Sequence, residues 1–361
     1  MNEQENNQKH THIKMRLLAI VCLLLLSPQA LCFVPLKIPT STNLRPPSVS
    51  IAIPSFATSV STALPSSATS DDETATSLPL LSRDRYYASN RFTVRKGKAA
   101  KFEKRWATRK SRLASLPGFR YFNLMRRVQL DDEAPPPIDN FDYVSLTIWQ
   151  GKRDFNAWRK GDAFKEAHGG TSVGAFMKAM ISSLRVLKSP PRPAFYDGLL
   201  QLSSTPENVP ETVDGWRKVD ADGTTLLPAE SFVACNQFYV SEADAAAFER
   251  RWAGRESSLS ELDGFVSFAL LRRDGKVKGH GTTPVDEAEP TYMSCTVWRD
   301  RAAFQGWRDG QAFKSAHGQK SESSGEEKGA SPPTRPKPLW SKPPVPVFYE
   351  GVLVISSEEG A

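Results

Sequence analysis

The chain has 361 residues, of which 39% are hydrophobic and 24% are charged. These fractions are close to the averages of globular proteins and exclude a chain that is disordered throughout. The formal net charge is +7 at pH 7 without a block of basic residues, a pattern that gives no indication of nucleic-acid binding. The length suggests two domains or one large one.

The first 80 residues have the composition of a targeting leader. Basic residues precede an apolar run of ten residues, Leu17–Leu26, which is too short to cross a bilayer and predicts no membrane anchor. Together with a small-residue cleavage pattern, this run predicts a signal peptide over residues 1–32. Residues 33–80 are rich in Ser, Thr and Pro and contain no acidic residue before Asp71, as in transit peptides. Such a segment cannot bury enough apolar surface to fold and is expected to be disordered.

A signal peptide followed by a Ser/Thr-rich stretch resembles the bipartite presequence of algae with secondary plastids. The sequence therefore predicts import into the plastid stroma, with ordinary secretion as the alternative. The part of the chain after the leader contains two cysteines, Cys235 and Cys295, and no Asn-X-Ser/Thr sequon, which favours the plastid. The two cysteines lack the spacing of zinc ligands and are expected to be buried thiols on strands.

The rest of the chain contains one unit twice. Glu103–Phe119 matches Glu249–Phe265 at 10 of 17 positions, and Thr147–His168 matches Thr296–His317 at 11 of 22 positions. The matches keep the same order with a slowly growing offset, which indicates duplication. We expect a first domain, a linker and a second domain, over residues 81–205, 206–230 and 231–361.

The predicted elements follow the same order in both copies: a strand, a helix, two strands, a helix and a strand. In the first copy the ranges are Tyr87–Val94, 102–113, Phe119–Val128, Tyr143–Trp149, 153–167 and Ala194–Leu202. In the second copy they are Phe232–Val240, 248–259, Phe265–Arg272, Tyr292–Trp298, 300–316 and Val345–Ile355. The order β-α-β-β-α-β is that of the ferredoxin-like unit, an α+β fold. Two fused units are expected to pack as an intramolecular pseudo-dimer.

The loops before the two closing strands differ. In the first copy, apolar residues from Val173 to Leu184 have helical spacing and predict an apolar flap. In the second copy, residues 318–344 are rich in Ser, Glu, Lys and Pro and predict a mobile loop.

Three residue types at equivalent positions of the two copies are candidates for chemistry. A histidine closes the second helix of each copy, where it could cap carbonyl groups or serve as an axial ligand of haem iron. Ten residues earlier lies a tryptophan, which could belong to the core or form a wall beside a planar ligand. An asparagine interrupts the first strand, where it predicts a bulge or a site residue facing a cavity. These residues are His168, His317, Trp158, Trp307, Asn90 and Asn236.

Each copy resembles the antibiotic-biosynthesis-monooxygenase (ABM) superfamily, and within it the IsdG-type haem-degrading branch. The resemblance rests on residues 88–94, 155–158 and 164–168 in the first copy and on residues 235–240, 304–307 and 313–317 in the second. It covers residues 84–204 and 231–357, and its most specific feature is the order Asn, Trp, His. The resemblance implies two ferredoxin-like ABM domains that form a pseudo-dimer around a central β-barrel-like interface.

The resemblance also implies roles for the six candidate residues. His168 and His317 would be proximal ligands of haem iron. Asn90 and Asn236 would donate a hydrogen bond to bound dioxygen. Trp158 and Trp307 would press on the porphyrin and distort it.

The implied activity is that of a haem-degrading monooxygenase, which opens the porphyrin oxidatively and releases iron. Haem would be both substrate and cofactor, together with O2 and electrons from an external donor such as ferredoxin or a reductase. Two alternatives stay open: a non-catalytic protein that binds and buffers haem, and a quinone-type monooxygenase without a cofactor.

Overall fold

The computed structural model describes residues 79–130, 139, 141–168, 181–204, 210–255, 257–275, 289–310 and 338–357. The predicted signal peptide and nearly all of the Ser/Thr-rich stretch lie outside these residues. So do the predicted flap up to residue 180 and most of the corresponding loop of the second copy.

Four strands and three helices of the first copy are numbered in chain order. They are β1 (Arg85–Phe92), α1 (Ala99–Ala107), β2 (Phe119–Val128), β3 (Tyr143–Trp149), α2 (Lys152–Lys160), α3 (Asp162–Ala167) and β4 (Arg192–Ser203). A short 3₁₀ turn, Leu113–Ser115, follows α1, and residues 181–186 are also helical.

The second copy repeats this order. Its elements are β5 (Ser231–Phe238), α4 (Ala245–Ala253), β6 (Phe265–Arg273), β7 (Tyr292–Trp298), α5 (Arg301–Asp309) and β8 (Val345–Ser356). A 3₁₀ turn, Leu259–Glu261, again follows the first helix. All eight strands correspond to predicted strands within two residues at each end.

The eight strands form one closed antiparallel barrel in the order β1-β3-β2-β8-β5-β7-β6-β4. Each copy contributes four neighbouring strands, and the copies join where β2 pairs with β8 and β4 pairs with β6. The predicted pseudo-dimer with a central barrel is therefore confirmed. Closure within one chain leaves no barrel strand with an unpaired edge.

Alternate residues of each strand face either the barrel interior or the helices outside it. On β1, Ser89 and Arg91 line the interior, whereas Tyr86 and Phe92 pack in the core between strands and helices. The helices thus cover the outer face of the barrel. The hydrophobic cluster under the helices of each copy also includes residues of the other copy's last strand: Val352, Leu353 and Ile355 in the first cluster, and Leu199 in the second.

The helices are shorter than the periodicity predicted. The first helix ends at Ala107 in the first copy and at Ala253 in the second. Leu113 and Leu259, which the apolar spacing assigned to these helices, belong to the separate 3₁₀ turns. The predicted second helix of the first copy is two helices, because Gly161 has φ −85° and ψ 173°, an extended conformation that no helix continues through. Gly310 has the same conformation after α5.

Glu103 on α1 is fully buried and holds the linker against the first copy. Its Oε1 atom accepts hydrogen bonds from Arg126 Nη1 at 2.8 Å and from Tyr143 OH at 2.7 Å, and its Oε2 atom accepts one from Leu227 N at 2.5 Å. Burial raises the pKa of Tyr143, which keeps its hydroxyl a donor. The linker residue Leu227 is thereby fixed to the first copy.

Glu249 on α4 makes the equivalent contacts in the second copy. It accepts hydrogen bonds from Arg272 Nη1 at 2.9 Å, from Tyr292 OH at 2.7 Å and from Leu81 N at 2.5 Å. Leu81 precedes β1 by four residues, as Leu227 precedes β5 by four. The segment before the first strand of each copy therefore binds to the first helix of the other copy. Leu227, before β5, binds to α1 of the first copy, and Leu81, before β1, binds to α4 of the second.

No helix in the described part of the chain is long and apolar enough to cross a membrane.

Candidate functional site

Asn90 and Asn236 lie on the outer face of the barrel, on the side of the helices. Their neighbours Ser89 and Cys235 line the interior, so the asparagine side chains point the other way. Both strands pair without a register shift at these positions, which excludes the bulge that the sequence left open. Neither amide group has a hydrogen-bond partner among the described residues. Within the described part of the chain, a ligand would therefore replace no hydrogen bond of either amide.

Trp158 lies on α2 and borders the core of the first copy. Its ring stacks on Trp149 at 5.3 Å between centroids and meets the edge of Phe164 at 5.0 Å. Its Nε1 atom is buried and has no hydrogen-bond partner among the described residues. Trp158 is therefore an aromatic wall, packed on two sides by Trp149 and Phe164.

His168 is the C-cap residue of α3 and is exposed, 6.3 Å from the Trp158 ring between centroids. Its Nδ1 atom lies 2.7 Å from the carbonyl oxygen of Phe164, which can only accept a hydrogen bond. Nδ1 therefore carries the proton, and in the neutral ring Nε2 presents its lone pair. A metal-binding histidine is commonly oriented in this way, by a hydrogen bond from its other nitrogen.

Arg109 is a site residue that the sequence reasoning missed. Its Nη2 atom lies 3.5 Å from His168 Nε2, and its Nε atom donates to Ala167 O at 2.8 Å. Its guanidinium group also lies over the Trp106 ring at 4.7 Å. Burial lowers the pKa of Arg109 to about 10, so the group stays charged at neutral pH. The repeat held a signal for it, because Arg255 in the second copy lies over Trp252 in the same way.

These contacts bring the three predicted residues of the first copy to one side of the barrel. Phe92, two residues after Asn90 on the same face of β1, meets the Trp106 ring at 5.9 Å. Trp106 contacts Arg109, which reaches His168. Phe92, Trp106 and Trp158 belong to one hydrophobic cluster. Asn90, Trp158 and His168 therefore border the same layer between sheet and helices.

The second copy repeats the first two of these positions. Trp307 packs against Trp298 at 5.4 Å and Phe304 at 5.8 Å, as Trp158 packs against Trp149 and Phe155. His317 lies outside the described residues, so its predicted position beside Trp307 stays a prediction.

Comparison with known proteins identifies the family. The model of the family "Antibiotic biosynthesis monooxygenase" matches the chain twice, over residues 85–170 and 231–319. A relative from Staphylococcus haemolyticus is 33% identical over 104 residues, which are 29% of this chain and 92% of the relative. The chain belongs to the antibiotic biosynthesis monooxygenase family.

The two family matches begin at the first residue of β1 and of β5 and extend past His168 and residue 317. As a member of this family, the chain is an oxidoreductase of the monooxygenase class. The relative from S. haemolyticus bears the name "Heme oxygenase (staphylobilin-producing)". Relatives of the same name in S. saprophyticus and, numbered 1, in S. aureus (strain Newman) are 36% identical over 105 residues and 34% identical over 85 residues. These alignments cover 29% and 23% of this chain, and 92% and 71% of the relatives.

Proposed function

We propose that this monooxygenase degrades haem, with haem as its substrate and as the group that activates dioxygen. In this proposal His168 and His317 bind the iron, Asn90 and Asn236 donate hydrogen bonds to the oxygen side of the site, and Trp158 and Trp307 contact the porphyrin. The names of the staphylococcal relatives and the donor set of the first copy support it.

The observation that carries the proposal is the orientation of the His168 ring. The hydrogen bond from Nδ1 to Phe164 O fixes the tautomer in which Nε2 carries the lone pair. A neutral imidazole presented in this way is a standard proximal ligand of haem iron. Arg109 Nη2 lies 3.5 Å from Nε2, so ligation requires that this long contact be replaced by the iron.

Bound haem supplies an iron atom that binds dioxygen and takes up electrons one at a time. The chain's own residues bind and orient it. The Asn90 amide offers N–H donors on the face of β1 that borders this layer. Trp158 offers a rigid ring, held on two sides by Trp149 and Phe164, against which a planar ligand can be pressed.

Two arginines of the first copy suit the carboxylates of haem. Arg105 donates to Ser183 Oγ at 3.1 Å, and Arg109 donates to Ala167 O. Neither forms an ion pair with a described residue, although burial lowers the pKa of both. A partly buried cation without a counter-ion favours an anionic ligand, because pairing offsets the cost of removing it from water.

The electrons are proposed to come from outside the chain, from a donor such as ferredoxin or a reductase. Ascorbate can replace that donor in a test. The purified chain is mixed with haemin, catalase is added to remove free peroxide, and ascorbate is supplied in air while the Soret band and free ferrous iron are recorded. We expect a Soret band that bleaches while iron is released.

Two other outcomes would overturn this proposal. A Soret band that persists under ascorbate indicates a haem-buffering protein, and the absence of any band indicates the quinone-type alternative.

Lys165→Ala is the control for a substitution of His168. Lys165 lies on α3, the short helix that His168 ends, and this variant should behave as the wild type.

We also propose that the leader directs the protein to the plastid. The support is the order of a short apolar run and a Ser/Thr-rich stretch before residue 80. A fluorescent fusion of residues 1–80, expressed in an alga with secondary plastids, should label the plastid. Retention in the endoplasmic reticulum or release from the cell would contradict the proposal.

A further inference from the structure

Two cysteines face each other inside the barrel. Cys235 on β5 is directly opposite Cys295 on β7, and their Sγ atoms are 2.6 Å apart. Both side chains line an interior cavity of about 60 Å³, on the face of the sheet opposite to the candidate site. Cys235 is buried and Cys295 is half-buried, and neither is part of a disulfide.

The pair belongs to the second copy alone. Ser89 and Leu146 occupy the equivalent places in the first copy and are also directly opposite each other. Ser89 donates its hydroxyl hydrogen to Ala194 O at 3.0 Å, a role with no need for a thiol. The two thiols are therefore a feature added to one half of a duplicated barrel.

The backbone geometry suits a cross-link. Residues directly opposite each other on antiparallel strands have Cα atoms about 4.5–5.5 Å apart, and disulfides bridge Cα atoms about 4.4–6.8 Å apart. The two sulfur atoms are already in contact at 2.6 Å. The closed barrel holds β5 and β7 in this register.

We propose that Cys235 and Cys295 are an oxidation site, where hydrogen peroxide converts the two thiols to a disulfide within the barrel. One sulfur attacks an oxygen of the peroxide, the O–O bond breaks, the thiol becomes a sulfenic acid, and the other peroxide oxygen leaves as the first water. The second sulfur then attacks the first, the S–S bond forms and a second water leaves. Two electrons pass from the sulfurs to the peroxide.

The cavity of about 60 Å³ can admit a molecule as small as hydrogen peroxide, because a single water molecule needs only about 10–15 Å³ of such space. Burial raises the pKa of the Cys295 thiol, so thiolate is scarce at neutral pH and the reaction takes place slowly.

The bond would fix the strand that carries Asn236. Cys235 is its neighbour on β5, and the cross-link ties that position to β7 beside Ser294, the residue opposite Asn236. It also closes a loop of some 60 residues, which restricts the unfolded chain. We expect the midpoint of thermal unfolding to rise by about 5–10 °C on oxidation.

The test uses the full chain with Cys22→Ala and Cys32→Ala, so that only this pair remains. The folded protein is incubated with hydrogen peroxide, then unfolded in the presence of N-ethylmaleimide and weighed by mass spectrometry. We expect a mass loss of about 2 Da, no maleimide adduct and one cross-linked peptide pair, whereas the untreated sample takes up two adducts.

Cys295→Ala in that background is the matched control. Its single thiol should gain oxygen atoms instead of losing hydrogen, and peroxide should not raise its unfolding midpoint. The proposal would be overturned if the peroxide-treated parent takes up two maleimide adducts. It would also be overturned if a non-reducing gel shows a disulfide between two chains. Independent gain of oxygen on both cysteines would overturn it as well.

Discussion

His168 combines two properties at one residue: it ends a helix, and it presents a ring nitrogen beside Arg109. As a cap it contributes little to stability, because a histidine at an exposed helix end is worth about 0.3–1 kcal/mol. As an iron ligand it determines where haem binds. The two roles therefore differ in what a substitution removes.

His168→Ala should lower the free energy of unfolding of the haem-free protein by no more than about 1 kcal/mol. It should remove the absorption features of one histidine-bound haem from the loaded protein. Urea unfolding and a visible spectrum of the same preparation measure both effects. An unchanged haem spectrum would show that His168 is a helix cap and not an iron ligand.

Asn90→Ala should keep haem affinity and slow its degradation. A hydrogen bond that forms mainly to activated oxygen contributes to the transition state more than to binding, so a loss of about 10–100-fold in rate is expected. Single-turnover absorbance traces with ascorbate give the rate, and haem titration gives the affinity. Asn123→Ala is the control, since Asn123 lines the barrel interior. Equal losses in affinity and rate would contradict the assigned role.

The three candidate residues of the first copy could be predicted from the repeat and the resemblance. The repeat also has Arg109 and Arg255 at equivalent positions, but the contact of Arg109 with His168 could not be predicted. Its role depends on α1 and α3 coming together, 59 positions apart in sequence. Periodicity describes one element at a time and gives no information about such contacts. The conformation of His168, with Nδ1 bonded to Phe164 O, likewise depends on how α3 ends.

At the scale of elements, the strands were predictable because their alternation is strong and occurs twice. The helices were predicted too long because apolar spacing continued through Gly161 and into the 3₁₀ turn at Leu113. Gly161 and Gly310, at equivalent positions, could have indicated where these helices end, since glycine disfavours a helix interior. Gly118, between the 3₁₀ turn and β2, requires glycine, because its φ is +72° and an added Cβ would lie 2.6 Å from Asp154 Cγ.

Glu103→Ala should destabilise the protein by about 3–5 kcal/mol, because it removes a buried carboxylate that three donors share and leaves Arg126 partly buried. Glu249→Ala should cost a similar amount, since its contacts are equivalent. Chemical unfolding measures both. Glu166→Ala, which breaks only the exposed ion pair with Arg112, should cost less than about 1 kcal/mol. A Glu103 variant as stable as the Glu166 variant would contradict this account.

At the scale of the whole molecule, the fold depends on exchanged segments. Leu81 and Leu227 each dock on a buried glutamate, and Arg126 binds Glu350 at 2.7 Å across the joint between β2 and β8. Sequence alone could not predict these contacts, which link residues 124 to 224 positions apart. The contact of Leu81 with Glu249 packs the segment before β1 against the rest of the folded chain.

A chain that begins at residue 79 should therefore be as stable as one with a longer leader, and a chain that begins at residue 84 should be less stable. The shorter chain loses the Leu81 N–Glu249 hydrogen bond and the Arg83–Asp197 ion pair at 2.6 Å. We expect a loss of about 1–3 kcal/mol, measured by chemical unfolding. Equal stability of the two would show that the segment before β1 does not hold the copies together.

Haem titration measures whether each copy binds haem through its histidine. The wild type should bind two haems per chain, His168→Ala and His317→Ala one each, and the double variant none with a histidine-bound spectrum. Circular dichroism of each variant confirms that the fold is retained. A double variant that still binds two haems with an unchanged spectrum would contradict the account.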